Sequence, residues 1–339
     1  MLYDTKMLES SSLSIGYAAD LIKQGEIVGM PTETVYGLAA NALDPEAVKK
    51  IFTAKGRPQD NPLIVHISSL DMLKQLAAEI PELAWKCAEA FWPGPLTMIL
   101  PKRDIIPYTT SAGLSTVGIR MPSNKTARAL IDAAGVPLAA PSANLSGSPS
   151  PTKAIHVYND MKGRIPCILD DGGCAVGVES TVISFENDSI RLLRPGFISV
   201  EDLLTICPRV IVDKGVTETV AADAVVASPG MKYKHYAPKA DITIIEASLE
   251  DFKAYCSEKA EKDALLMVFH DTDAENTGHH CISYGKDGKE QAKLLFDVLR
   301  KLDEMNIKKV YARCPSKDGV GLAVYNRLLR AAGFQVIKL

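Results

Sequence analysis

The densest group of chemically active residues lies in residues 55–66, which read Lys-Gly-Arg-Pro-Gln-Asp-Asn-Pro-Leu-Ile-Val-His. Two cations, Lys55 and Arg57, are separated by one residue, and Pro58 and Pro62 restrict the backbone beside them. A loop stiffened in this way loses less conformational entropy when it binds a ligand. The pattern predicts a rigid loop that directs positive charge at an anion, although a solvated pair of surface cations would look the same in the sequence.

Three further polar clusters follow, each bordered by an apolar run: Ser142-Ala-Asn144, Glu179-Ser-Thr181 and Arg194-Pro-Gly196. The first opens a segment, 142–150, that is rich in Ser, Asn, Gly and Pro. Backbone amides and hydroxyls of such a loop can surround phosphate oxygens, but a flexible turn has the same composition. Together with the cationic loop, the clusters predict an anion-binding site assembled from separate loops.

Three single residues extend this site, each with an alternative role. Asn61 could position a phosphate or a base edge, or could be a turn residue before a proline. His66 ends an apolar run, where a hydrogen-bonded core histidine and a substrate contact are both open. Arg120 also ends an apolar run, and because charge is rarely buried unpaired we favour an anion in a cleft over a surface position.

Several familiar catalytic patterns are missing. The sequence contains neither Gly-x-x-x-x-Gly-Lys-Ser/Thr nor Gly-x-Ser-x-Gly, which excludes a P-loop and an esterase-type nucleophile. His279-His280 has no second pair of ligands at metal-binding spacing. We therefore expect neither covalent catalysis nor a metal held by the protein alone.

Composition indicates a folded protein of one large or two ordinary domains. The 339 residues are 47% hydrophobic and 23% charged, with a formal net charge of -3. A protein held to nucleic acid by its overall field should be basic, so any positive patch is local.

The seven cysteines occur singly, which favours reduced thiols. No apolar segment has the length of a membrane span, and we expect a soluble, cytoplasmic protein.

Residues 1–207 show many short strands mixed with helices, which predicts an α/β domain. The helical patterns cover 12–24, 45–54, 72–78, 81–91 and 125–134, and the strand patterns cover 27–30, 63–67, 96–100, 117–120, 138–140, 168–170, 181–185 and 190–193. The polar clusters fall at the ends of these strands, where loops commonly carry ligand contacts.

The sequence changes character after about residue 208. Residues 208–239 fit neither helical nor strand periodicity and are predicted to be a linker. Beyond it, strands and helices alternate, which predicts a smaller α/β domain over 240–339. The predicted strands are 242–245, 264–269, 281–284, 309–312 and 334–337, and the predicted helices are 249–260, 289–305 and 322–332.

The clusters match a known family. The sequence closely resembles the Sua5/YrdC/YwlC family in several motifs. They are Pro31-Thr-Glu-Thr-Val-Tyr-Gly-Leu38, Lys55-Gly-Arg-Pro58, Asn61-Pro-Leu-Ile-Val-His66, Trp92-Pro-Gly-Pro-Leu-Thr97, the three polar clusters (with Pro141 before the first) and Ser228-Pro-Gly-Met-Lys-Tyr-Lys-His-Tyr-Ala-Pro238. The resemblance runs nearly end to end, and the domain after the linker is similar to the longer Sua5 form. It implies a YrdC-like twisted, open mixed sheet with a concave cavity, plus a smaller Rossmann-like α/β C-terminal domain.

The resemblance also implies an activity, L-threonylcarbamoyladenylate synthase. Such an enzyme makes threonylcarbamoyl-AMP and pyrophosphate from L-threonine, bicarbonate and ATP, with Mg²⁺ on the triphosphate. Downstream threonylcarbamoyl-transferase proteins use the product to form N6-threonylcarbamoyladenosine (t6A) in tRNA next to the anticodon. Two alternatives stay open: an RNA-binding module without turnover, with at least weak tRNA contact, and an enzyme of related carbamoyl or adenylyl chemistry.

Carried over by position, the resemblance implies two subsites. The threonine site falls on Thr34, His66, Arg120, Ala140 and Ser180. The ATP site falls on Lys55, Arg57, Asn61, Thr116, Ser142, Asn144, Ser150 and Arg194, with His235 and Tyr236 from a linker that covers the active site. Lys55 and Arg57 are the expected catalytic cations, and His66 is a candidate base for the threonine amine.

Overall fold

The computed structural model describes residues 2–59, 61–218 and 236–339. His235 and the rest of 219–235 therefore lie outside the described residues. None of the helices in the described ranges combines the length and apolar character needed to cross a membrane.

Eleven strands of the described N-terminal residues form one open, mixed sheet. They are β1 Lys6–Glu9, β2 Val28–Met30, β3 Gly37–Asn41, β4 Ile64–His66, β5 Leu96–Pro101, β6 Thr116–Arg120, β7 Leu138–Ala139, β8 Cys167–Asp170, β9 Thr181–Glu186, β10 Ser189–Arg194 and β11 Val210–Val212. The order across the sheet is β1-β8-β2-β3-β7-β4-β6-β5-β9-β10-β11. Parallel pairs such as β4 with β6 alternate with antiparallel pairs such as β5 with β6.

Helices pack against this sheet and bury its apolar side chains. They are α1 Ser12–Lys23, α2 Pro45–Lys55, α3 Leu70–Leu76, α4 Glu82–Phe91, α5 Tyr108–Ser111, α6 Lys125–Ala134, α7 Ala154–Met161 and α8 Val200–Leu204.

Helix α2 shows how local sequence places Lys55. Asp44 caps the helix by accepting hydrogen bonds from two backbone amides of the first turn, and Pro45 is its first residue. Gly56 ends it in the left-handed conformation, with φ of 60°. Lys55 is therefore the last helical residue, one position beyond the predicted end, and does not belong to the following loop.

The central strands bring the predicted site residues together. His66 at the end of β4 lies opposite Arg120 at the end of β6. β7 pairs with the other edge of β4, and Ala140 directly follows it. Ser180 immediately precedes β9, and Arg194 is the last residue of β10. Residues from five segments, four of them polar, thus meet on one part of the sheet.

The C-terminal residues form a second sheet whose five described strands are all parallel. Its strands are β12 Asp241–Glu246, β13 Leu265–Val268, β14 Cys281–Ser283, β15 Lys309–Arg313 and β16 Val336–Lys338, in the order β14-β13-β15-β12-β16. Its helices are α9 Leu249–Lys259, α10 Gly288–Glu304 and α11 Gly321–Ala331, and short 3₁₀ turns cover Lys214–Val216 and Asp271–Ala274.

The two domains share an apolar core. Val35 and Val178 of the N-terminal domain pack in one cluster with Phe296 of α10. Gly177 lies beside α10 with φ of +85°, and a Cβ at this position would stand 2.4 Å from the Cα of Lys293. Only glycine permits this backbone approach without displacing α10.

The predicted fold class is confirmed, with a large mixed sheet and a smaller parallel one. Sequence patterns missed β1, β3, α5, α7, α8 and β11. β11 pairs with β10, so the beginning of the predicted linker joins the large sheet. The domain limits at 207 and 239 stay predictions.

Candidate active site

A concave cavity, partly open to solvent, lies over the centre of the large sheet. Small molecules commonly bind in concave sites of this kind. The lining residues are Thr32, Thr34, Val35, Gly37, Lys55, Arg57, Ile64, His66, Arg120, Ala140, Pro141, Ser142, Asn144, Ser146, Gly147, Ser148, Glu179, Ser180, Arg194 and Tyr236.

Lys55 is buried at the base of this cavity, with 3% of its surface exposed. Its Nζ donates hydrogen bonds to the main-chain oxygen of Ser142 and, at 2.7 Å, to that of Asn144. Burial, and next the charge of Arg57, lower the pKa of the Lys55 ammonium well below its ordinary value, whereas the carboxylates of Asp160 and Glu179 act in the opposite direction. Lys55 thus anchors the serine-rich loop and lines the cavity.

Arg57 is half-buried and borders the same cavity. Its Nη2 donates to the main-chain oxygen of Asn61 at 3.3 Å, and its guanidinium lies 5.9 Å from the ring centre of Phe52. These contacts hold the loop after α2 against the helix, so the predicted solvated surface pair does not describe Lys55 and Arg57.

Side-chain hydrogen bonds shape the serine-rich loop from within. Ser142 Oγ donates to Asn144 Oδ1 at 2.6 Å, and Asn144 Nδ2 donates to the main-chain oxygens of Leu145 and Ser148 at 2.7 and 2.8 Å. Gly147, with φ of +90°, provides a turn that favours glycine. The loop is therefore a built structure and not a flexible turn.

Arg120 is buried beside a buried carboxylate that sequence reasoning did not assign. Its Nη2 lies 2.7 Å from Glu33 Oε1, and its Nη1 donates to Thr34 Oγ1 at 2.9 Å. Burial acts to raise the pKa of Glu33, but the charge and hydrogen bond of Arg120 outweigh it, and the pKa lies below its ordinary value. Arg120 is thus held in one orientation on the cavity wall.

His66 lines the cavity next to Arg120. Burial, and next the positive charge of Arg120, lower the pKa of His66 to about 3. The imidazole is therefore uncharged at neutral pH and is a weak proton acceptor. This argues against the expectation that His66 deprotonates the threonine amine.

Arg194 is also buried and lines the same cavity. Its Nε donates to the main-chain oxygen of Ser180 at 3.1 Å and its Nη2 to Ser180 Oγ at 3.1 Å. Ser180 Oγ also lies 2.8 Å from Thr97 Oγ1. Burial and the nearby charge of Arg327 lower the pKa of Arg194 to about 10, so the guanidinium stays charged at neutral pH.

Glu179 is the second carboxylate that sequence reasoning left unassigned. It lines the cavity, accepts a hydrogen bond from Ser150 Oγ at 2.5 Å and pairs with Arg327 Nε at 2.9 Å. Ser150 lies behind Glu179 and is fully buried. The motif Glu179-Ser-Thr181 carried the only local signal for this residue.

The structure gathers most of the predicted residues around one cavity. Those that line it are Thr34, Lys55, Arg57, His66, Arg120, Ala140, Ser142, Asn144, Ser180, Arg194 and Tyr236. Asn61 and Ser150 are buried just behind lining residues, and Thr116 at the start of β6 is not brought to the cavity. His235 lies outside the described residues.

The fold and cavity define a class: a two-domain α/β protein whose cavity is lined by the cationic side chains of lysine and arginine. A family model described as "Telomere recombination" (Sua5, YciO and YrdC) matches residues 20–196. A second, described as "Threonylcarbamoyl-AMP synthase, C-terminal domain", matches residues 198–333. The chain belongs to the Sua5/YciO/YrdC family, in its two-domain form.

Characterised relatives resemble the whole chain. The threonylcarbamoyl-AMP synthase of Bacillus subtilis is 46% identical over 98% of this chain and 97% of its own length. That of Schizosaccharomyces pombe is 40% identical over 93% of this chain and 87% of its own. The crystal structure of P. abyssi Sua5 complexed with L-threonine superposes with a TM-score of 0.90, 41% identity and 99% coverage of both chains.

Proposed function

We infer that the chain is an L-threonylcarbamoyladenylate synthase, which forms threonylcarbamoyl-AMP and pyrophosphate from L-threonine, bicarbonate and ATP for t6A modification of tRNA. The observation that carries this function is that Lys55, Arg57, Arg120 and Arg194 border one cavity. Four cations around a single hollow suit a reaction whose three reactants all carry negative charge.

The reaction needs two bond-forming steps. The threonine amine first attacks carbon dioxide derived from bicarbonate and loses a proton, which gives a carbamate. A carbamate oxygen then attacks the α-phosphorus of ATP, and the bond from that phosphorus to the bridging oxygen of pyrophosphate breaks. Charge repulsion and alignment dominate such a barrier, so fixed cations contribute more than a covalent nucleophile.

Each cation has a role that its position supports. Lys55 and Arg57 would stabilise the phosphates, next to the amides and hydroxyls of the serine-rich loop. Arg120 would bind the threonine carboxylate, with its orientation fixed by Glu33 and Thr34. Arg194 would contact the nucleotide, with its guanidinium held against Ser180.

Mg²⁺ would reach this site on the triphosphate, whose oxygens supply its ligands. Within residues 2–59, 61–218 and 236–339, no group of three His, Cys, Asp or Glu residues is placed to hold a metal ion.

The proposal has three further parts. They are transfer of the product to downstream threonylcarbamoyl-transferase proteins, weak tRNA contact and a cytoplasmic location. All seven cysteines are free thiols, which suits a reducing compartment.

Identification of the product tests the function directly. The purified chain is incubated with ¹⁴C-bicarbonate, L-threonine and Mg-ATP, and the products are separated by chromatography. We expect labelled threonylcarbamoyl-AMP with equimolar pyrophosphate, and neither without threonine. A different carbamoylated or adenylylated product would refute the assignment, and salt-sensitive tRNA binding without turnover would favour the RNA-binding alternative.

A further inference from the structure

Helix α11 of the C-terminal domain inserts one fully buried cation behind the active-site wall. Arg327 has 0% of its surface exposed. Its Nε donates to Glu179 Oε2 at 2.9 Å, its Nη1 donates to the main-chain oxygen of Pro195 at 2.7 Å, and its Nη2 lies 3.4 Å from the main-chain oxygen of Glu179. The guanidinium thus binds the backbone on both sides of the Ser180 and Arg194 pair.

Glu179 connects this cation to the cavity. One of its oxygens faces Arg327, the other accepts the Ser150 hydroxyl, and its backbone continues directly into Ser180. Arg194, on β10, also faces the carboxylate and donates to both oxygens of Ser180. Without Arg327, the buried carboxylate would lose its ion-pair partner and take up a proton more readily, so its hold on the Ser150 hydroxyl and on the charge of Arg194 would weaken.

Stability alone explains this arrangement poorly. Replacing a buried ion pair by apolar side chains is often neutral or stabilising, because desolvation offsets the Coulomb attraction. The domains are also held by other contacts, among them the Val35, Val178 and Phe296 cluster and the Arg300–Asp160 ion pair at 2.8 Å. The partner of Arg327 in this ion pair, Glu179, lines the cavity. This position indicates that the pair has a role in the active site.

We propose that Arg327 is a positioning residue for the synthase reaction, which it serves by holding Glu179 and thereby Ser150, Ser180 and Arg194 in their active arrangement. This inference rests on the proposed function. The C-terminal domain then completes the active site and is more than an appended module. Arg327 touches no substrate, and its effect passes through Glu179.

The test compares Arg327→Met with Arg313→Met in the full-length chain. Arg313 is the last residue of β15 in the same domain and pairs with the buried Asp273 at 2.7 Å, and neither residue lines the cavity. We expect Arg327→Met to lower kcat/KM for threonylcarbamoyl-AMP synthesis by about 10²-fold, as misplaced catalytic groups do. Arg313→Met should stay close to wild type in activity even where its thermal midpoint falls.

A pH profile separates positioning from loss of folding. Burial acts to raise the pKa of Glu179, but the charges of Arg327 and then Arg194, with the Ser150 hydrogen bond, keep it below its ordinary value; Tyr236 and Lys55 also face this carboxylate. Removing Arg327 lets the pKa of Glu179 rise, so the carboxyl becomes protonated at pH values where it stays ionised in the wild type. Activity of Arg327→Met should therefore recover as pH increases.

Glu179→Gln tests whether the pH response comes from Glu179, because glutamine cannot ionise. Its activity should be low without the alkaline recovery, and adding Arg327→Met to it should cost much less than in the wild type. If Arg327→Met does not fold, Arg327→Lys and Glu179→Gln test the same link. Wild-type activity in Arg327→Met, or an activity loss with an unchanged pH profile and no coupling to Glu179, would overturn the proposal. If the wild-type chain itself forms no threonylcarbamoyl-AMP in this assay, the proposed function fails, and that result is distinct from any effect of the Arg327 variants.

Discussion

Replacing Lys55 by methionine tests the anchoring role and the electrostatic role of this residue together. The substitution removes a buried ammonium and leaves the main-chain oxygens of Ser142 and Asn144 without their donor. Each buried acceptor left unsatisfied costs about 1–3 kcal/mol, so the free energy of unfolding should fall by about 2–6 kcal/mol. Loss of the cation should also lower turnover by about 10²–10³-fold.

Two matched variants separate the effects. Lys50 lies on the same helix and pairs with Glu26 at 2.9 Å, with 42% of its side chain exposed. Lys50→Met should cost at most about 1 kcal/mol and leave turnover unchanged. Arg57→Met should lower turnover as Lys55→Met does but reduce stability far less, because Arg57 is half-buried and water screens its charge more than that of Lys55.

Urea unfolding measures the free energy of unfolding of each variant. Pyrophosphate release at saturating threonine, bicarbonate and ATP measures its turnover. If Lys55→Met is as stable as Lys50→Met, the loop does not depend on Nζ and the anchoring argument fails. If Lys55→Met and Arg57→Met both turn over at wild-type rates, the cationic cavity does not stabilise the transition state.

Three further predictions concern the walls of the cavity. Arg120→Met should raise KM for threonine more than KM for ATP in steady-state kinetics; an equal effect on both would contradict its assignment to the carboxylate. His66 has a pKa of about 3 in the folded chain, so below the unfolded pKa of about 6.5 only the unfolded state takes up the proton. The free energy of unfolding should fall from pH 6.5 to 5 by up to about 1.4 kcal/mol per pH unit, and His66→Asn should flatten this slope in urea titrations. Gly196→Ala would place a Cβ 2.2 Å from the backbone nitrogen of Thr181, so stability should drop by about 1–3 kcal/mol or more in thermal unfolding, and an unchanged midpoint would show that the segment yields freely.

Local patterns predicted most of the regular elements. Helix 125–134 has its predicted bounds because its apolar periodicity is strong, and Asn124 and Gly135 mark its two ends. β3 was missed because its sequence, Gly-Leu-Ala-Ala-Asn, contains no β-branched or aromatic residue. Its strand conformation comes from pairing with β2 and β7, which local sequence does not report.

The candidate site was predictable where a motif sits at the end of a strand, as for His66 and Arg120. It was not predictable where a residue acts through a partner distant in sequence. Glu179 and Arg327 are 148 positions apart, and neither shows from its neighbours that the other is near. The burial of Lys55 was likewise hidden, because it depends on carbonyls 87 and 89 residues away.

The backbone contact between Gly177 and α10 has a practical consequence for dissecting this protein. A fragment cut after the large sheet would expose the valines around Gly177 to water and leave a buried acid without its counter-ion. We expect such a truncated chain to aggregate or lose activity for that reason alone. Point substitutions in the intact polypeptide, and not removal of its C-terminal third, are the means of learning what that third contributes.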